Sequence, residues 1–213
     1  MSHFVILLAG RMLPTPRLRA ALSGARAIAA DDGMRHAGPL GLSPELWVGD
    51  FDSTPQEPPI ALAGVRRETF SRDKDKTDGE LAIEAAIGLG ADRVTLVGAL
   101  GGPRSDHAFA HLVLALRYAR EGLGVSLLDG VESAYPLDRA PRRFDLLPGT
   151  QFSILKFSNV EGLTIEGAKW PLEAVDLPFT SILTQSNEAA GPIIVSLRAG
   201  EAILIAQDDP AVR

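Results

Sequence analysis

Short apolar runs alternate with segments of helical periodicity in the first two thirds of the chain. Strands that alternate with helices indicate crossover connections and a mostly parallel sheet covered by helices on both faces. We predict strands at Phe4–Ala9, Ala27–Ala30, Glu45–Val48, Val65–Phe70, Arg93–Val97 and Val125–Leu128, and helices at Arg17–Ser23, from Thr77 onward and at Asp106–Glu121.

The clearest helix start in the sequence lies at Thr77, three residues before Glu80. This spacing is typical of a capping box, in which the threonine accepts from a backbone amide and the glutamate reaches back. Leu81, Ala85 and Leu89 recur four residues apart and follow on one face of this helix.

After residue 140 the helical period disappears, and turn signals separate short apolar runs, namely Pro148-Gly149, Glu161-Gly162, Glu166-Gly167 and Ala199-Gly200. We therefore expect an α/β fold with two domains, a mostly parallel sheet with flanking helices at 1–138 and a smaller antiparallel β-sandwich at 139–213. A sheet of this size is marginal alone and is expected to pack on a neighbour or on another chain. The strands predicted here are Phe152–Phe157, Leu163–Ile165, Ile182–Gln185, Ile193–Arg198 and Ala202–Ala206.

Composition narrows the function classes. A net charge of −6 over 213 residues argues against a non-specific nucleic-acid binder. The absence of cysteine excludes disulfides, thiolate metal sites and cysteine nucleophiles. Phe4–Ala9 has no basic segment ahead of it, and no run approaches the roughly 20 apolar residues of a membrane helix. We expect a soluble, cytoplasmic protein with no membrane partner.

Two acidic clusters follow predicted strands. Ligands of open parallel sheets bind outside the carboxyl ends of the strands, where both clusters are expected to lie. Alternating carboxylates supply the oxygen ligands that Mg²⁺ prefers beside phosphates, whereas each cluster taken singly also fits a solvated, charged loop. The clusters are Asp50 and Asp52 after the third strand, and Asp73, Asp75 and Asp78 around Lys74 and Lys76.

A glycine-rich segment, Gly98–His107, joins a strand to a helix. Glycines let the backbone approach a ligand, and amides at a helix start favour anions. The guanidinium of Arg104 is suited to forked hydrogen bonds with a phosphate. The alternative is a plain turn with Asp106 as the helix cap. His107 and His111 stand four apart, but the zinc-protease pattern is absent and no zinc site is expected.

The residues by themselves therefore favour a Mg²⁺-dependent enzyme that acts on a nucleotide or another polyphosphate. In order and spacing, the motif set resembles that of the thiamine pyrophosphokinases over residues 5 to 205. The matching segments are Val48–Ser53, Asp73–Asp78, Arg104–His107, Ala29–Gly33, Gly167–Leu172 and Ser186–Glu188.

The resemblance implies a homodimer that transfers pyrophosphate from ATP to the hydroxyl of thiamine, giving AMP and thiamine diphosphate with Mg²⁺. It implies nucleotide contacts from four residues, thiamine contacts from Asp106 of one subunit and from Ser186 and Asn187 of the other, and catalysis by Asp75, Asp78 and Arg104. The implied nucleotide contacts are Asp31, Lys76, Thr77 and Arg104, and the implied metal ligands are Asp50, Asp52, Asp73, Asp75 and Asp78.

Two positions depart from the family pattern. Asp32 stands where the family has glycine, and Pro103 adds a residue before Arg104. Both departures concern the loops to which the resemblance assigns the nucleotide.

Three other functions remain open. The segment Asp50–Thr54 also fits the nucleophile motif of a haloacid-dehalogenase-like phosphatase, but the downstream lysine that this class needs is found only at Lys156 and Lys169, in the predicted β-sandwich. A non-catalytic nucleotide sensor on the same fold is the second alternative. The third, a sugar-nucleotide transferase, has only the Asp-x-Asp pair in its favour.

Overall fold

The computed structural model describes residues 2–51, 64–70 and 76–207. The chain divides into two compact units between Gly130 and Val131. We call them unit 1 and unit 2 in chain order. Compactness does not test whether each unit folds as a domain, so the predicted domains 1–138 and 139–213 stay predictions.

The described residues of unit 1 form six strands in the order β6-β5-β1-β2-β3-β4, and each neighbouring pair is parallel. A 3₁₀ helix at Asp31–His36 follows β2 directly. The strands are β1 His3–Leu7, β2 Arg26–Ala30, β3 Leu46–Gly49, β4 Arg66–Thr69, β5 Arg93–Val97 and β6 Gly124–Leu128, and the α-helices are α1 Pro16–Ala21, α2 Ala37–Leu40, α3 Asp78–Gly88 and α4 Ser105–Arg120.

The inner strands β1, β2, β3 and β5 are buried on both faces, as expected of a parallel sheet between helices. One face packs against α1, the 3₁₀ helix and α2, with Trp47 and Met34 in that core. The side chains of α3 cover β1 to β3. At the end of this strand order, β4 carries the charged residues Arg66, Arg67 and Glu68, and charges on an edge strand disfavour edge-to-edge pairing.

The order in which the chain adds strands to the sheet reverses at β1. The chain adds β2, β3 and β4 on one side of β1, and then returns through α3 to place β5 and β6 on the other side. Loops that leave two neighbouring strands in opposite directions open a crevice at the carboxyl edge of the sheet. The fold therefore predicts a ligand site at the ends of β1 and β5.

Unit 2 is antiparallel throughout its described strand pairs. Strand β12 takes part in two sheets, because its first residues pair with β9 and its later residues pair with β8 and β10. The strands are β7 Glu132–Pro136, β8 Arg142–Phe144, β9 Gln151–Lys156, β10 Val160–Ala168, β11 Leu172–Leu177, β12 Asn187–Ser196 and β13 Ala202–Gln207.

The two sheets of unit 2 enclose one apolar core. Phe152, Ile154, Leu163 and Ile193 are among its most buried members. Together with the parallel sheet of unit 1, this arrangement confirms the predicted α/β class with an antiparallel C-terminal part.

Two local predictions in unit 2 are wrong. Ile182–Gln185 is a turn and not a strand: Gln185 donates to the Ile182 carbonyl at 3.1 Å, and the Ile182 side chain is 76% exposed. Gly162 and Gly167 do not end strands but lie at irregularities within β10, and a Cβ atom on Gly167 would stand 2.4 Å from the Pro192 carbonyl oxygen. A β-bulge and a turn share the same Gly signal in a sequence.

The buried face of α3 is formed by residues other than Leu81, Ala85 and Leu89. The helix buries Gly79, Ala82, Ile83 and Ala86, while Leu89 is exposed. Small residues let α3 lie close on the sheet, and this packing outweighs the size of the leucines. The capping box forms only in part, because Thr77 accepts from the Glu80 amide at 3.2 Å while the Glu80 carboxylate accepts from Arg117 at 2.7 Å.

Candidate active site

A cavity of about 370 Å³ lies in unit 1 at the carboxyl edge of the parallel sheet, where the strand order reverses. Its volume falls in the range of small-molecule sites. The lining residues come from the ends of β1, β2 and β5 and from the starts of α3 and α4. Among the residues proposed from the sequence, the lining includes Asp31, Thr77, Asp78 and Arg104.

Backbone forms much of the cavity wall. The loops after β1 and β5 are joined by hydrogen bonds from the Gly10 amide to the Gly98 carbonyl and from the Arg11 amide to the Gly101 carbonyl, each 3.0 Å long. A Cβ atom on Gly10 would stand 2.2 Å from the Gly98 oxygen and 2.3 Å from the Gly101 oxygen. Only glycine fits this approach, which leaves a ligand in the cavity in reach of main-chain atoms.

Two helices begin at the cavity. Thr77, Asp78 and Gly79 line it from the first turn of α3, and Arg104 and His107 line it from the start of α4. The first amides of a helix carry partial positive charge and attract anions. The arrangement is therefore suited to phosphate groups.

Asp31 is held at the rim by its neighbours. Its backbone takes a left-handed φ of 46°, and its carbonyl accepts from the Trp47 indole at 2.8 Å. Its Oδ1 atom lies 3.3 Å from the place that a Cβ atom would take on Gly49, just before Asp50. Glycine at position 49 therefore leaves room for the Asp31 carboxylate.

Neither departure from the family pattern blocks the cavity. Asp32 pairs with Arg35 three residues later and is not among the lining residues. Pro103 lines the cavity beside Arg104. The added carboxylate is thus neutralised within its own 3₁₀ helix.

The Arg104 side chain, which lines the cavity, is paired with Asp106. Its Nε and Nη2 donate to the two oxygens of Asp106 at 2.9 and 2.7 Å, and both side chains are 63% exposed. These hydrogen bonds hold the pKa of the Asp106 carboxyl well below its usual range. The guanidinium still has donors left over, since an arginine carries five N–H groups.

Lys76 is directed elsewhere. Its Nζ donates to both oxygens of Glu84 at 2.7 and 2.8 Å, and this bonding raises the pKa of the lysine. It is not among the residues that line the cavity. The structure therefore pairs the Lys76 side chain with Glu84 of α3, and Lys76 does not join Thr77 in the cavity wall.

The predicted metal ligands are only partly described. Asp50 follows β3 and Asp78 opens α3, whereas Asp52, Asp73 and Asp75 lie outside the described residues. Within the described residues, no three His, Asp or Glu side chains are grouped closely enough to hold a metal ion. The carboxylate oxygens of Asp50 and Asp78 have the chemistry that Mg²⁺ prefers.

The predicted thiamine contacts of unit 2 lie where β12 begins. Asn187 is buried, and its Oδ1 accepts from the amides of Trp170 and Glu188 at 3.3 and 2.8 Å. Its Nδ2 donates to the Trp170 carbonyl at 2.8 Å. Ser186 is exposed, with a left-handed φ of 58°. Asn187 therefore holds the segment that presents Trp170, whose side chain is 55% exposed.

Sequence reasoning missed the contribution of the first loop, and it noted two histidines without assigning them to the site. Leu8, Ala9 and Gly10 line the cavity directly after β1, and a strand that ends in Ala-Gly was the available signal. His107 and His111 also line it, with ring centroids 6.4 Å apart. Burial lowers the pKa of His111, and its Nδ1 lies 3.1 Å from the Ala99 carbonyl oxygen.

Family models cover most of the chain. The model for the catalytic domain of thiamin pyrophosphokinase matches residues 21–127, and that for the vitamin B1 binding domain of the same enzyme matches residues 139–201. Among the described residues, no helix is long and apolar enough to cross a membrane.

Individual relatives agree with these models. The thiamine pyrophosphokinase of Bacillus subtilis is 29% identical over 154 residues, which are 70% of this chain and 71% of that one. Its crystal structure superimposes with a TM-score of 0.85 at 22% identity, covering 98% of this chain and all of the other. The Geobacillus thermodenitrificans enzyme gives 0.80 at 26% identity over 99% of each chain, and the Candida albicans enzyme gives 0.80 at 14% identity over 97% of this chain and 90% of its own. With the catalytic-domain model matching half of its residues, this chain belongs to the thiamin pyrophosphokinase family of kinase-type transferases.

Proposed function

We propose that this protein transfers pyrophosphate from ATP to the hydroxyl of thiamine, with Mg²⁺, to give AMP and thiamine diphosphate. The observation that carries the proposal is the cavity at the ends of β1 and β5, into which two helices direct their first turns. Family membership supports thiamine as the acceptor. The protein is proposed to work in the cytoplasm.

The phosphates of ATP are held by backbone and by one guanidinium. Amides at the starts of α3 and α4 supply positive dipole ends, and Thr77 lies in the same wall. Arg104 keeps its bonds to Asp106 and uses its remaining donors on a phosphate oxygen. Asp31, at the rim, is assigned to the nucleoside, and Lys76 contributes only after leaving Glu84.

The metal is assigned to carboxylates at the same edge of the sheet. Asp50 and Asp78 are the described members of the set, and Asp52, Asp73 and Asp75 are proposed to complete it. When bound, the ion neutralises charge on the phosphate oxygens during transfer. The chain's own part is to fix carboxylates at the ends of rigid strands and at the first residue of α3.

In the transfer step, the thiamine oxygen bonds to the β-phosphorus while the bond from that phosphorus to the α-phosphate oxygen breaks. AMP leaves with the electron pair of the broken bond, and the hydroxyl proton goes to a carboxylate. We assign that proton to Asp78, because it lines the cavity and the first turn of α3 fixes its position. Arg104 stabilises the charge that builds on the phosphates, and Asp75 would contribute by holding the Mg²⁺ that neutralises that charge.

Thiamine recognition is assigned to Asp106 of one subunit and to Ser186 and Asn187 of the other in a homodimer. The exposed Trp170 supports this assignment, since its ring offers a stacking surface and Asn187 fixes its backbone. Complementation tests the shared site. Mixed Asp75→Asn and Ser186→Ala chains are expected to regain part of the lost activity, and failure despite demonstrated subunit exchange would assign each site to a single chain.

The reaction itself is tested with purified protein, ATP, Mg²⁺ and thiamine, followed by chromatography of the products. We expect AMP and thiamine diphosphate together, only with metal, and an Asp73→Asn variant that folds but does not turn over. ADP with thiamine monophosphate would identify a one-phosphate kinase instead. Phosphate release without thiamine would favour the phosphatase, and ATP binding without turnover would favour the sensor.

A further inference from the structure

Phe51 has an unusual backbone for an aromatic residue. In the sequence it lies between Asp50 and Asp52, two of the carboxylates assigned to the metal. Its φ is 57°, in the left-handed region. This conformation is unfavourable for a bulky residue, and a phenylalanine has no polar side-chain atom that could offset the cost by bonding to the nearby backbone. The surrounding structure therefore has to hold the turn that follows β3.

An aromatic pair holds the Phe51 ring. It meets the Trp47 ring edge to face, with the two centroids 5.0 Å apart and the two planes at 85°, which is a favourable arrangement for aromatic side chains. Trp47 is 1% exposed, and its indole donates to the Asp31 carbonyl at 2.8 Å. Because Trp47 belongs to the apolar core of unit 1, it offers Phe51 a rigid surface to pack against.

Arg67 covers this pair from the neighbouring strand. Strands β3 and β4 are parallel, and their register places Arg67 directly beside Trp47. The guanidinium carbon lies 4.6 Å from the centre of the Trp47 ring and 5.6 Å from the centre of the Phe51 ring, both within the range of cation–π attraction. The preceding arginine, Arg66, is bonded to Glu68 at 2.5 Å. The two adjacent arginines of β4 thus have different partners.

We propose that Arg67 and Phe51 are positioning residues for the metal site, because their stack with Trp47 holds the turn that begins at Asp50. The left-handed backbone at Phe51 sets the direction in which the chain leaves Asp50. Mg²⁺ demands near-ideal octahedral geometry, so its carboxylate ligands have to be held by the residues around them. Without the stack, the strained turn relaxes and Asp50 is no longer fixed. This inference rests on the proposed function, under which Asp50 is a metal ligand.

Metal binding by the full-length protein tests this role without turnover. The probe is Mn²⁺ alone, and the loss of its free signal in electron paramagnetic resonance measures the affinity. Arg67→Gln is expected to weaken Mn²⁺ binding about fivefold, and Phe51→Ala about tenfold, since the second change removes both contacts of the ring. Arg67→Lys keeps a cation over the rings and Phe51→Tyr keeps the ring, so both are expected to retain most of the affinity.

Arg66→Gln is the matched control, because it removes an adjacent charge from the same strand without touching the stack. Its Mn²⁺ affinity is expected to equal that of the wild type. Urea unfolding checks that all variants fold. Equal Mn²⁺ affinity in the wild type and in Arg67→Gln would overturn the inference, as would an equal loss in Arg66→Gln and Arg67→Gln, which would indicate a general effect of charge on β4.

Steady-state kinetics separate positioning from direct contact with a substrate. Arg67→Gln is expected to raise the Mg²⁺ concentration at half-maximal turnover by the same factor as it weakens Mn²⁺ binding, with KM for thiamine unchanged. A higher KM for ATP at saturating Mg²⁺, with Mn²⁺ affinity unchanged, would make Arg67 a nucleotide contact and overturn the inference.

The wild type distinguishes failure of this inference from failure of the proposed reaction. Mn²⁺ binding that depends on Arg67, without formation of thiamine diphosphate, would support the positioning role and reject the reaction. Thiamine diphosphate formation with Mn²⁺ binding that does not depend on Arg67 would support the reaction and reject the positioning role. Absence of Mn²⁺ binding in the wild type would overturn the metal assignment and this inference with it.

Discussion

The cavity of unit 1 and the Trp170 segment of unit 2 use polar residues in opposite ways. In unit 1, Asp31 and Asp78 line an open cavity whose walls the main chain holds. In unit 2, the amide of Asn187 is engaged by Trp170 and Glu188, and the exposed group is the indole. A residue in a family motif can thus line a ligand site directly, or it can position another residue that contacts the ligand.

The difference predicts separable effects. Substitutions at the cavity are expected to act on turnover or on the packing of the loops in unit 1. Substitutions at Asn187 are expected to change the exposure of Trp170 and to leave KM for ATP unchanged.

The largest expected effect is that of Asp78→Asn on catalysis. Loss of one charged group in a preorganised phosphate site costs about 10²-fold in turnover. Steady-state kinetics with ATP and thiamine measure kcat, and circular dichroism checks the fold. Asp145→Asn, at an exposed carboxylate of unit 2, is the control and is expected to keep full activity. Near-normal kcat in Asp78→Asn would remove Asp78 from the catalytic set.

Gly10→Ala is expected to destabilise unit 1 by about 2–3 kcal/mol, because the added Cβ atom would collide with two carbonyl oxygens. Urea unfolding measures the loss. Gly88→Ala is the matched control, since nothing lies within 4 Å of its Cβ position on α3 and alanine favours a helix. Equal stability of the two variants would mean that the loops after β1 and β5 do not approach as closely as described.

Asn187→Ala is expected to lower the free energy of unfolding by about 1–3 kcal/mol, since it removes the side chain that pairs with the backbone N–H and carbonyl of Trp170. The chain has two tryptophans, of which Trp47 is buried, so acrylamide quenching reports mainly on Trp170. We expect stronger quenching and a raised KM for thiamine, with KM for ATP unchanged.

Asn159→Ala provides the comparison within unit 2, because Asn159 accepts from the Phe179 amide at 2.8 Å in another loop. It is expected to leave both the quenching and KM for thiamine as they are. If the two variants raise KM for thiamine equally, Asn187 has no special link to Trp170.

The smallest expected effect concerns pH. All four histidines lie in unit 1. Burial is the main reason that the pKa values of His3, His36 and His111 lie below the usual 6.5. Below pH 6.5 the unfolded chain takes up protons before the folded chain does, so the free energy of unfolding falls. Urea titrations at pH 7.5 and 5.5, followed by Trp47 fluorescence, measure the loss. His36→Gln should make it smaller, and higher stability at pH 5.5 would contradict the prediction.

Much of unit 1 could be predicted from the sequence, because buried parallel strands are continuous apolar runs and glycines mark the loops between them. Asp31 and Asp50 come directly after β2 and β3, and Asp78 is the first residue of α3. Their positions at one sheet edge therefore follow from the predicted elements. The placement of β5 beside β1 could not be read, since strand order depends on contacts far apart in the chain.

Side-chain partners were the weakest part of the prediction. Lys76 bonds to Glu84 and Arg104 to Asp106, choices that depend on local geometry rather than on residue type. Ile182–Gln185 has the composition of a strand but closes on itself as a turn, and Thr184 bonds to the backbone of Ile154 without forming a ladder. The pairing of Asn187 with Trp170 joins residues 17 apart and leaves no trace in either motif.

The wall of small residues around the cavity also limits how the site can change over generations. Gly10, Gly79 and Gly98 have no atoms to lose, and a substitution at any of them adds volume where neighbours already lie close. Substitutions at these positions can only reduce the volume of the cavity. New ligand preferences in this lineage are therefore expected to arise from the charged rim, where side chains can be exchanged without closing the space behind them.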